Sequence, residues 1–314
     1  MKDQFEREIS YLRVSITDLC NLRCRYCMPD GVCQKRHEDI LSFEEIAEIV
    51  AAAAALGVRK VRVTGGEPLV RRGCPELCRM LAGIDGIEEI DLTTNGTLLP
   101  RYAAELKAAG VTRVNISVDS LDPEKYADIT GGGCLRDALD GIRAAQEAGL
   151  TPVKLNAVLI GGFNDDEIPA FVEHTRRSPI ELRFIELMPM GGRFGPEAYL
   201  PGETVLERMP ELVPVPHDGG VARLYRLPDG QGRVGLISPL SRHFCASCNR
   251  LRLTSEGHLK PCLHSSVEIN VRGLHGAALL DTLRRAIREK PRQHGVLDAD
   301  HRSEAGRSMN TIGG

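Results

Sequence analysis

The chain has 314 residues and a formal net charge of −3, with 42% hydrophobic and 26% charged residues. This balance is ordinary for a globular protein, and it excludes a disordered chain and a generally basic surface that recruits nucleic acid. An aromatic content of 4% without tryptophan also leaves little material for stacking nucleic-acid bases. Any anionic ligand must therefore be bound by a local group of basic side chains.

From the N-terminus, short β-rich runs alternate with longer helical runs. We predict strands at residues 12–17, 60–64, 89–94, 113–119, 152–160 and 180–188. We predict helices between them at residues 43–56, 75–82, 101–109, 135–148 and 165–175. Strand–helix units in succession favour parallel strands joined by right-handed crossovers, so the chain is predicted to be an α/β protein.

The pattern changes after Met190. Residues 191–220 are rich in glycine and proline and are typical of a connecting segment. Two β-like runs at 221–227 and 232–238 predict a hairpin, and 274–289 predicts an amphipathic helix. We place a domain boundary near residue 215, which divides the chain into 1–215 and 216–314. The last residues, 307–314, show no packing pattern of their own.

Three cysteines, Cys20, Cys24 and Cys27, follow the first predicted strand in a C-x3-C-x2-C pattern. A closed zinc site needs four protein ligands, whereas three thiolates suit a four-iron cluster that keeps one iron for a non-protein ligand. Zinc or buried free thiols are the alternatives. A second incomplete set, Cys245, Cys248 and Cys262, lies far away in sequence. We expect two iron–sulfur clusters that face each other across one mouth of the fold.

Polar residues follow several predicted strands, where parallel architectures gather their active groups. They lie at 65–68, 93–96, 117–120 and 186–189. Charged residues also occur inside strands. Lys154, Arg13 and Arg62 are costly on a doubly covered sheet unless they face a cavity. Arg250 and Arg252 share one side of a probable strand, where they form either a phosphate site or a solvated face.

The first cysteine loop, with Tyr26 before its third cysteine, and the segment Gly65-Gly66-Glu67-Pro68 resemble motifs of the radical S-adenosylmethionine (SAM) superfamily. The resemblance implies a partial (β/α)6 TIM-type barrel with a C-terminal hairpin and helix extension that carries the second iron–sulfur cluster. Within the superfamily the whole chain resembles the GTP 3′,8-cyclase family. The matching stretches are 12–17, 62–69, 92–96, 153–156, 245–252 with Cys262, and the terminal Gly313-Gly314.

This resemblance implies two [4Fe-4S] clusters and SAM as cofactors, with GTP as substrate. SAM would yield a 5′-deoxyadenosyl radical that converts GTP to (8S)-3′,8-cyclo-7,8-dihydroguanosine 5′-triphosphate, the first step of molybdenum cofactor biosynthesis. The implied SAM contacts are Tyr26, Gly66, Ser117 and Met188. The implied GTP contacts are Arg13, Arg62, Thr93, Lys154, Arg250, Leu251 and Arg252. The Gly-Gly tail would enter the cavity and order the substrate-side arginines.

Ten cysteines without a secretory signal indicate metal ligands in a reducing cytoplasm. We expect a flavodoxin- or ferredoxin-like electron donor, a monomer or homodimer, and neither membrane nor nucleic acid as a partner. The remaining thiols, Cys33, Cys74, Cys78 and Cys134, are interpreted as spare. The alternatives are another two-cluster radical SAM enzyme that modifies a peptide or RNA, or a ferredoxin-like electron carrier.

Overall fold

The structure is a computed structural model that describes residues 1–28, 35–190, 193–216, 219–297 and 302–313. Within these ranges, the centre of the fold is one 12-stranded sheet with the order β12-β11-β10-β1-β2-β3-β4-β5-β6-β9-β8-β7. The strands from β10 to β9 in this order all run parallel to their neighbours. The predicted α/β class and parallel barrel are confirmed.

The strands are β1 (Tyr11–Ser15), β2 (Lys60–Thr64), β3 (Glu89–Thr94), β4 (Arg113–Ser117), β5 (Lys154–Leu159), β6 (Glu181–Glu186), β7 (Val213–Pro214), β8 (Arg223–Arg226), β9 (Arg233–Ile237), β10 (Arg250–Leu253), β11 (His258–Lys260) and β12 (Ile269–Asn270). The helices are α1 (Phe43–Ala55), α2 (Cys74–Ala82), α3 (Leu99–Ala108), α4 (Pro123–Thr130), α5 (Leu135–Glu147), α6 (Ile168–Arg177), α7 (Thr204–Arg208), α8 (Gly276–Arg288) and α9 (Met309–Ile312). The six predicted barrel strands and the helices between them are confirmed, whereas α4 was not predicted.

The barrel wall separates an apolar layer from a polar interior. On β1, Leu12 and Val14 are fully buried in the hydrophobic core, whereas Tyr11 and Arg13 line an internal cavity. Successive side chains of a strand point to opposite faces, which explains the division. The helices cover the outer face of the wall, and α1 begins at the predicted capping box of Ser42.

The C-terminal region extends the sheet at both edges. The predicted hairpin is confirmed as antiparallel β8 and β9, and β9 also pairs in parallel with β6. At the other edge, β10 pairs in parallel with β1. Regions 1–215 and 216–314 therefore share one sheet, and the boundary near residue 215 stays a prediction.

The tail folds back against the rest of the chain. Ile312, in α9, is 1% exposed and packs in a cluster with Met190 and Ala305. The side-chain amide of Asn310 donates a hydrogen bond to the carbonyl oxygen of Asp18 at 3.2 Å. The sequence of residues 307–314 shows no packing pattern of its own because the apolar partners of this segment lie far away in sequence.

None of the helices in the described ranges has the length and apolar composition that a membrane crossing requires.

Candidate active site

A cavity of about 670 Å³ runs through the barrel, and both cysteine sets line it. It also brings together almost all of the residues predicted for SAM and GTP. These are Tyr26, Gly66, Ser117, Met188, Arg13, Arg62, Thr93, Lys154, Arg250 and Arg252. Leu251 is the exception, since its side chain is 1% exposed within the hydrophobic core. Its neighbours on β10 face the cavity, so strand alternation turns Leu251 outward, and only its backbone remains as a possible contact.

The first cysteine set lies at the carboxyl end of β1. Main-chain hydrogen bonds hold the loop against α4, from the amide of Arg23 to the carbonyl oxygen of Thr130 at 2.7 Å and from Arg25 to Ile129 at 3.0 Å. Burial raises the pKa of Cys20 and Cys24, and raises that of Cys27 to about 12. Without a cation these groups are thiols, and bound iron would supply the charge that stabilises three thiolates.

The chemistry of the two cysteine sets fits four-iron clusters. Such a cluster binds each cysteine through a different iron, and three thiolates leave one iron for another ligand. Across the described residues, no group of three His, Cys, Asp or Glu side chains is placed to hold a single metal ion. All six cysteines of the two sets are free of disulfides and line the same cavity.

The glycine segment after β2 packs against the cysteine loop. The amide of Gly66 donates to the carbonyl oxygen of Thr17 at 2.7 Å, and a Cβ at Gly66 would lie 2.3 Å from the carbonyl oxygen of Leu19. Only glycine permits this approach. The carboxylate of Glu67 accepts hydrogen bonds from the Thr94 hydroxyl at 2.8 Å and the Asn95 amide at 2.7 Å. These hydrogen bonds brace the turn. Burial raises the pKa of Glu67 to about 7.

Asp119 belongs to the polar stretch 117–120 that the sequence analysis noted, but it was given no role there. It accepts a hydrogen bond from the hydroxyl of Tyr26 at 2.8 Å and from the amide of Val158 at 2.8 Å. Burial raises the pKa of Asp119 to about 6. Its position just after β4, among the polar strand ends, was the only signal available. The contact links the cysteine loop to the opposite wall.

Basic side chains from neighbouring strands gather in the cavity. Besides the predicted ones, the structure adds Lys60, Arg113 and Arg183. The buried carboxylate of Asp91 accepts from Lys60 at 2.7 Å and Arg62 at 2.8 Å. These cations were missed because only the register of the sheet brings them together.

A second carboxylate, Glu181, pairs with Lys154 at 3.0 Å and also with Arg183. Burial and the charge of Arg183 lower the pKa of Lys154 to about 8. The cavity holds more basic groups than the carboxylates that pair with them, so its interior favours an anionic ligand.

Several buried polar atoms in this interior have no hydrogen-bond partner among the described residues. They are the hydroxyls of Tyr11 and Thr93, Oδ1 of Asn156, Nε of Arg250, and both amide atoms of Asn115. Buried polar groups are almost always paired, so this set indicates a polar ligand or bound water.

The second cysteine set lies at the amino ends of the parallel strands, because Cys248 precedes β10 and Arg250 is opposite Tyr11. Cys262 follows antiparallel β11 and reaches the same end. The two sets are therefore at opposite ends of the cavity, and the expectation of one shared mouth was wrong. The cause is β10, a parallel strand that the sequence analysis did not place in the sheet.

Two buried cations hold the second cysteine set. Arg7 donates from Nη1 to the carbonyl oxygen of Cys245 at 2.8 Å, and its Nε pairs with Asp3 at 2.6 Å. The Nζ of Lys290 donates to the carbonyl oxygens of Arg250, at 2.9 Å, and Pro261. The N-terminal segment and the residues after α8 thus fix the loops that carry these cysteines.

The three other cysteines that the structure describes do not join either set. Cys74 and Cys78 are buried in the hydrophobic core on α2, as expected for spare thiols. Cys134 is exposed before α5. Cys33 lies outside the described residues.

Comparison with known proteins supports the two halves of this architecture. Residues 14–175 match the model of the Radical SAM superfamily, and residues 180–296 match Molybdenum Cofactor Synthesis C. The first match assigns SAM and a [4Fe-4S] cluster to the N-terminal region.

Solved structures agree on the fold. Streptococcus suis SuiB has a TM-score of 0.64 at 15% identity, over 89% of this chain and 68% of SuiB. Native anSMEcpe with bound AdoMet has a TM-score of 0.61 at 15% identity, over 90% of this chain and 81% of that protein. At such identities the likeness shows the fold alone.

Full-length relatives are much closer in sequence. The GTP 3′,8-cyclase of Alkaliphilus oremlandii is 53% identical over 321 residues and is covered in full, as is this chain. That of Alkaliphilus metalliredigens is 51% identical over 321 residues, again with both chains covered in full. The chain therefore belongs to the GTP 3′,8-cyclase family of radical SAM enzymes.

Proposed function

We propose that this enzyme converts GTP to (8S)-3′,8-cyclo-7,8-dihydroguanosine 5′-triphosphate, the first step of molybdenum cofactor biosynthesis. The observation that carries the proposal is a single cavity with a cysteine set at each end and basic side chains between them. A nucleoside triphosphate has the negative charge that these basic side chains attract. One-electron reduction of SAM at the first cluster would supply the 5′-deoxyadenosyl radical that takes hydrogen from ribose C3′. Bonding of C3′ to C8 of guanine would leave a purine radical, and a second electron from the donor with a proton from solvent would complete the product.

The first cysteine set holds the cluster that binds SAM. Cys20, Cys24 and Cys27 provide three thiolates, which leaves one iron for the amine and carboxylate of SAM. The backbone of Gly66, which lines the cavity, and the side chains of Tyr26, Ser117 and Met188 surround the rest of the molecule. This assignment rests on their shared position at the carboxyl ends of β1, β2, β4 and β6.

Cys245, Cys248 and Cys262 hold a second [4Fe-4S] cluster with an open iron for the guanine base. Three thiols at one end of the cavity, with a buried lysine and a buried arginine behind them, support it. The two cations would offset the negative charge of thiolate-bound iron. Guanine is thereby held apart from SAM, and the ribose lies between the two ends.

The triphosphate contacts the basic side chains of the wall. Arg13, Arg62, Lys154, Arg250 and Arg252 remain the proposed ligands, with Thr93 as a hydroxyl donor. Arginine suits this role because its planar group donates two parallel hydrogen bonds to phosphate oxygens. Leu251 contributes only backbone, since its side chain faces the core.

The wider setting of the enzyme is also proposed. Its location is the cytoplasm, its electron donor is flavodoxin- or ferredoxin-like, and it works as a monomer or homodimer. The reduced cytoplasm suits open clusters and the free cysteines.

Anaerobically reconstituted protein tests the function directly. With SAM, dithionite and GTP, we expect 5′-deoxyadenosine and the cyclised nucleotide in equal amounts. An enzyme that modifies peptide or RNA would form 5′-deoxyadenosine without a response to GTP, and an electron carrier would form none. Mössbauer spectra with and without GTP would count the clusters, and spectra unaffected by GTP would contradict binding of guanine to the second one.

A further inference from the structure

Among the aromatic residues on the strands that carry the cavity's basic side chains, Tyr11 is the one that lines the cavity, within the part of the chain that the structure describes. It is the first residue of β1, where the sheet register places it opposite Arg250 of β10 and Lys60 of β2. Its side chain lines the cavity, and the residue is 7% exposed. Neither the sequence motifs nor the proposed ligand set includes it.

Three cations approach the ring of Tyr11. Nζ of Lys60 lies 5.3 Å from the ring centroid, the guanidinium carbon of Arg62 at 5.4 Å, and that of Arg250 at 5.9 Å. These distances are typical of cation–π contacts, so the ring fixes three side chains that would otherwise repel one another. A phenyl ring alone would suffice for this packing.

The hydroxyl needs a separate explanation. It is buried, and it has no hydrogen-bond partner among the described residues. An unpaired buried hydroxyl loses its hydration without compensation, which native structures avoid. Nε of Arg250 is also buried without a partner in the same ranges. Two unpaired donors beside converging cations indicate a ligand with several anionic oxygens.

The electrostatic environment of the Tyr11 hydroxyl also favours an anionic ligand. Burial on its own raises the pKa of a phenol, but the charges of Arg62, Arg13, Arg250 and Lys60 outweigh burial and lower the pKa of Tyr11. A positive potential of this kind strengthens the hydroxyl as a hydrogen-bond donor.

We propose that the Tyr11 hydroxyl donates a hydrogen bond to a phosphoryl oxygen of the bound nucleotide. The ring holds Lys60, Arg62 and Arg250 around that oxygen, so Tyr11 both contacts the phosphate and positions its cations. This inference rests on the proposed function, because it takes GTP as the ligand. It adds a specific claim, namely that the hydroxyl recognises phosphate and not guanosine.

The variant Tyr11→Phe separates the two roles, because it removes the hydroxyl and keeps the ring. Tyr126→Phe is a matched control. Tyr126 is 1% exposed and its hydroxyl also lacks a partner among the described residues, but it packs in the hydrophobic core away from the cavity lining. Anaerobic holoenzyme without reductant would be titrated with GTP, guanosine and SAM by calorimetry, and thermal midpoints would be compared.

For Tyr11→Phe we expect the Kd of GTP to rise about 10- to 100-fold, the range for a hydrogen bond to a charged group. The Kd values of guanosine and SAM should not change, and Tyr126→Phe should match the wild type throughout. An unchanged Kd of GTP in Tyr11→Phe, or equal losses of affinity for GTP and guanosine, would overturn this inference and leave the proposed function standing. Failure of the wild-type holoenzyme to bind GTP would overturn the proposed function and this inference with it.

Discussion

Arg252 donates a hydrogen bond from its guanidinium group to the carbonyl oxygen of Gly313. A second bond reaches the carbonyl oxygen of Ile312 at 3.3 Å. The contact joins a strand of the cavity wall to the end of the chain. The tail therefore reaches Arg252, which is a proposed ligand of the substrate, whereas Gly314 lies outside the described residues.

Gly313→Ala should impair the site without unfolding the protein. Gly313 has a φ of 72°, and a Cβ there would lie 2.7 Å from Cγ2 of Thr64. The tail must shift, so Arg252 loses its fixed position. We expect kcat/KM for GTP to fall about 10- to 100-fold, as for other small displacements of a positioning group.

The control for this variant is Gly83→Ala. Gly83 has a φ of −81°, and a Cβ there meets no atom closer than 3.5 Å. Steady-state kinetics of both variants would measure the loss of kcat/KM, and thermal midpoints would show whether either variant unfolds. Wild-type kinetics in Gly313→Ala would show that the tail contact is dispensable.

GTP binding should weaken as the pH rises above about 8. Lys154 has a pKa of about 8 in the folded protein, so it loses its charge above this pH and no longer attracts phosphate. In Lys154→Arg the charge persists, because arginine stays protonated, and the Kd of GTP should stay level from pH 7 to about 9.5. Calorimetric titrations across this range test the difference, and parallel pH profiles would argue against Lys154 as a ligand.

The lowered pKa of Lys154 has the opposite effect on stability: it weakens GTP binding as the pH rises but increases the free energy of unfolding. The pKa of Lys154 is lower in the folded state than its ordinary value of 10.5. Between these two values the unfolded chain binds more protons, so this group makes the free energy of unfolding increase as the pH rises. A loss of GTP affinity in this pH window therefore cannot be attributed to destabilisation by Lys154.

Asp119→Asn should weaken SAM binding. The carboxylate of Asp119 accepts the hydroxyl of Tyr26 and the amide of Val158, and an asparagine amide can satisfy only one of these donors. We expect the Kd of SAM to rise about tenfold, as for loss of a hydrogen bond to a charged group. Asp128→Asn is the control, since Asp128 is an exposed residue of α4 that pairs with Arg25 of the cysteine loop. Equal SAM affinities in both variants would contradict the positioning role of Asp119.

Lys290→Met should remove or loosen the proposed second cluster. Two buried carbonyl oxygens would lose their donor, and the thiolates of Cys248 and Cys262 would lose a nearby positive charge. We expect roughly half of the iron to be lost on anaerobic desalting, the amount in one of two equal clusters. SAM binding should persist, because the first set lies at the other end.

Lys2→Met provides the comparison, because the Lys2 side chain is exposed and pairs with Glu6 on the surface. Iron and sulfide analysis with Mössbauer spectra would report the number of clusters. A fully loaded Lys290→Met protein with normal GTP affinity would show that the buried lysine does not support the second cluster.

The features predicted from sequence are those that local patterns specify. Apolar runs such as that around Val61 and Val63 identify buried parallel strands, and the spacing of Cys20, Cys24 and Cys27 identifies a metal-binding loop. Helix α4 was missed because its sequence, PEKYADIT, offers few apolar residues despite the capping Asp122.

What the sequence analysis missed depends on contacts between distant segments. Asp91, Lys60 and Arg113 become a site only through the pairing of β2, β3 and β4. The outward direction of Leu251 follows from the register of β10 with β1, and no local sequence pattern predicts that register. The buried position of Ile312 depends on Met190, more than a hundred residues earlier.

The pairing of β10 with β1 and of β9 with β6 has a consequence for biosynthesis of the chain. While the ribosome has made only the first six strands, both flanks of the half-built barrel carry unpaired main-chain groups that attract other polypeptides. Those flanks are covered only when the C-terminal strands emerge. The nascent enzyme is thus vulnerable to aggregation until β9 and β10 have been made. A product truncated before these strands would keep unpaired main-chain groups on β1 and β6.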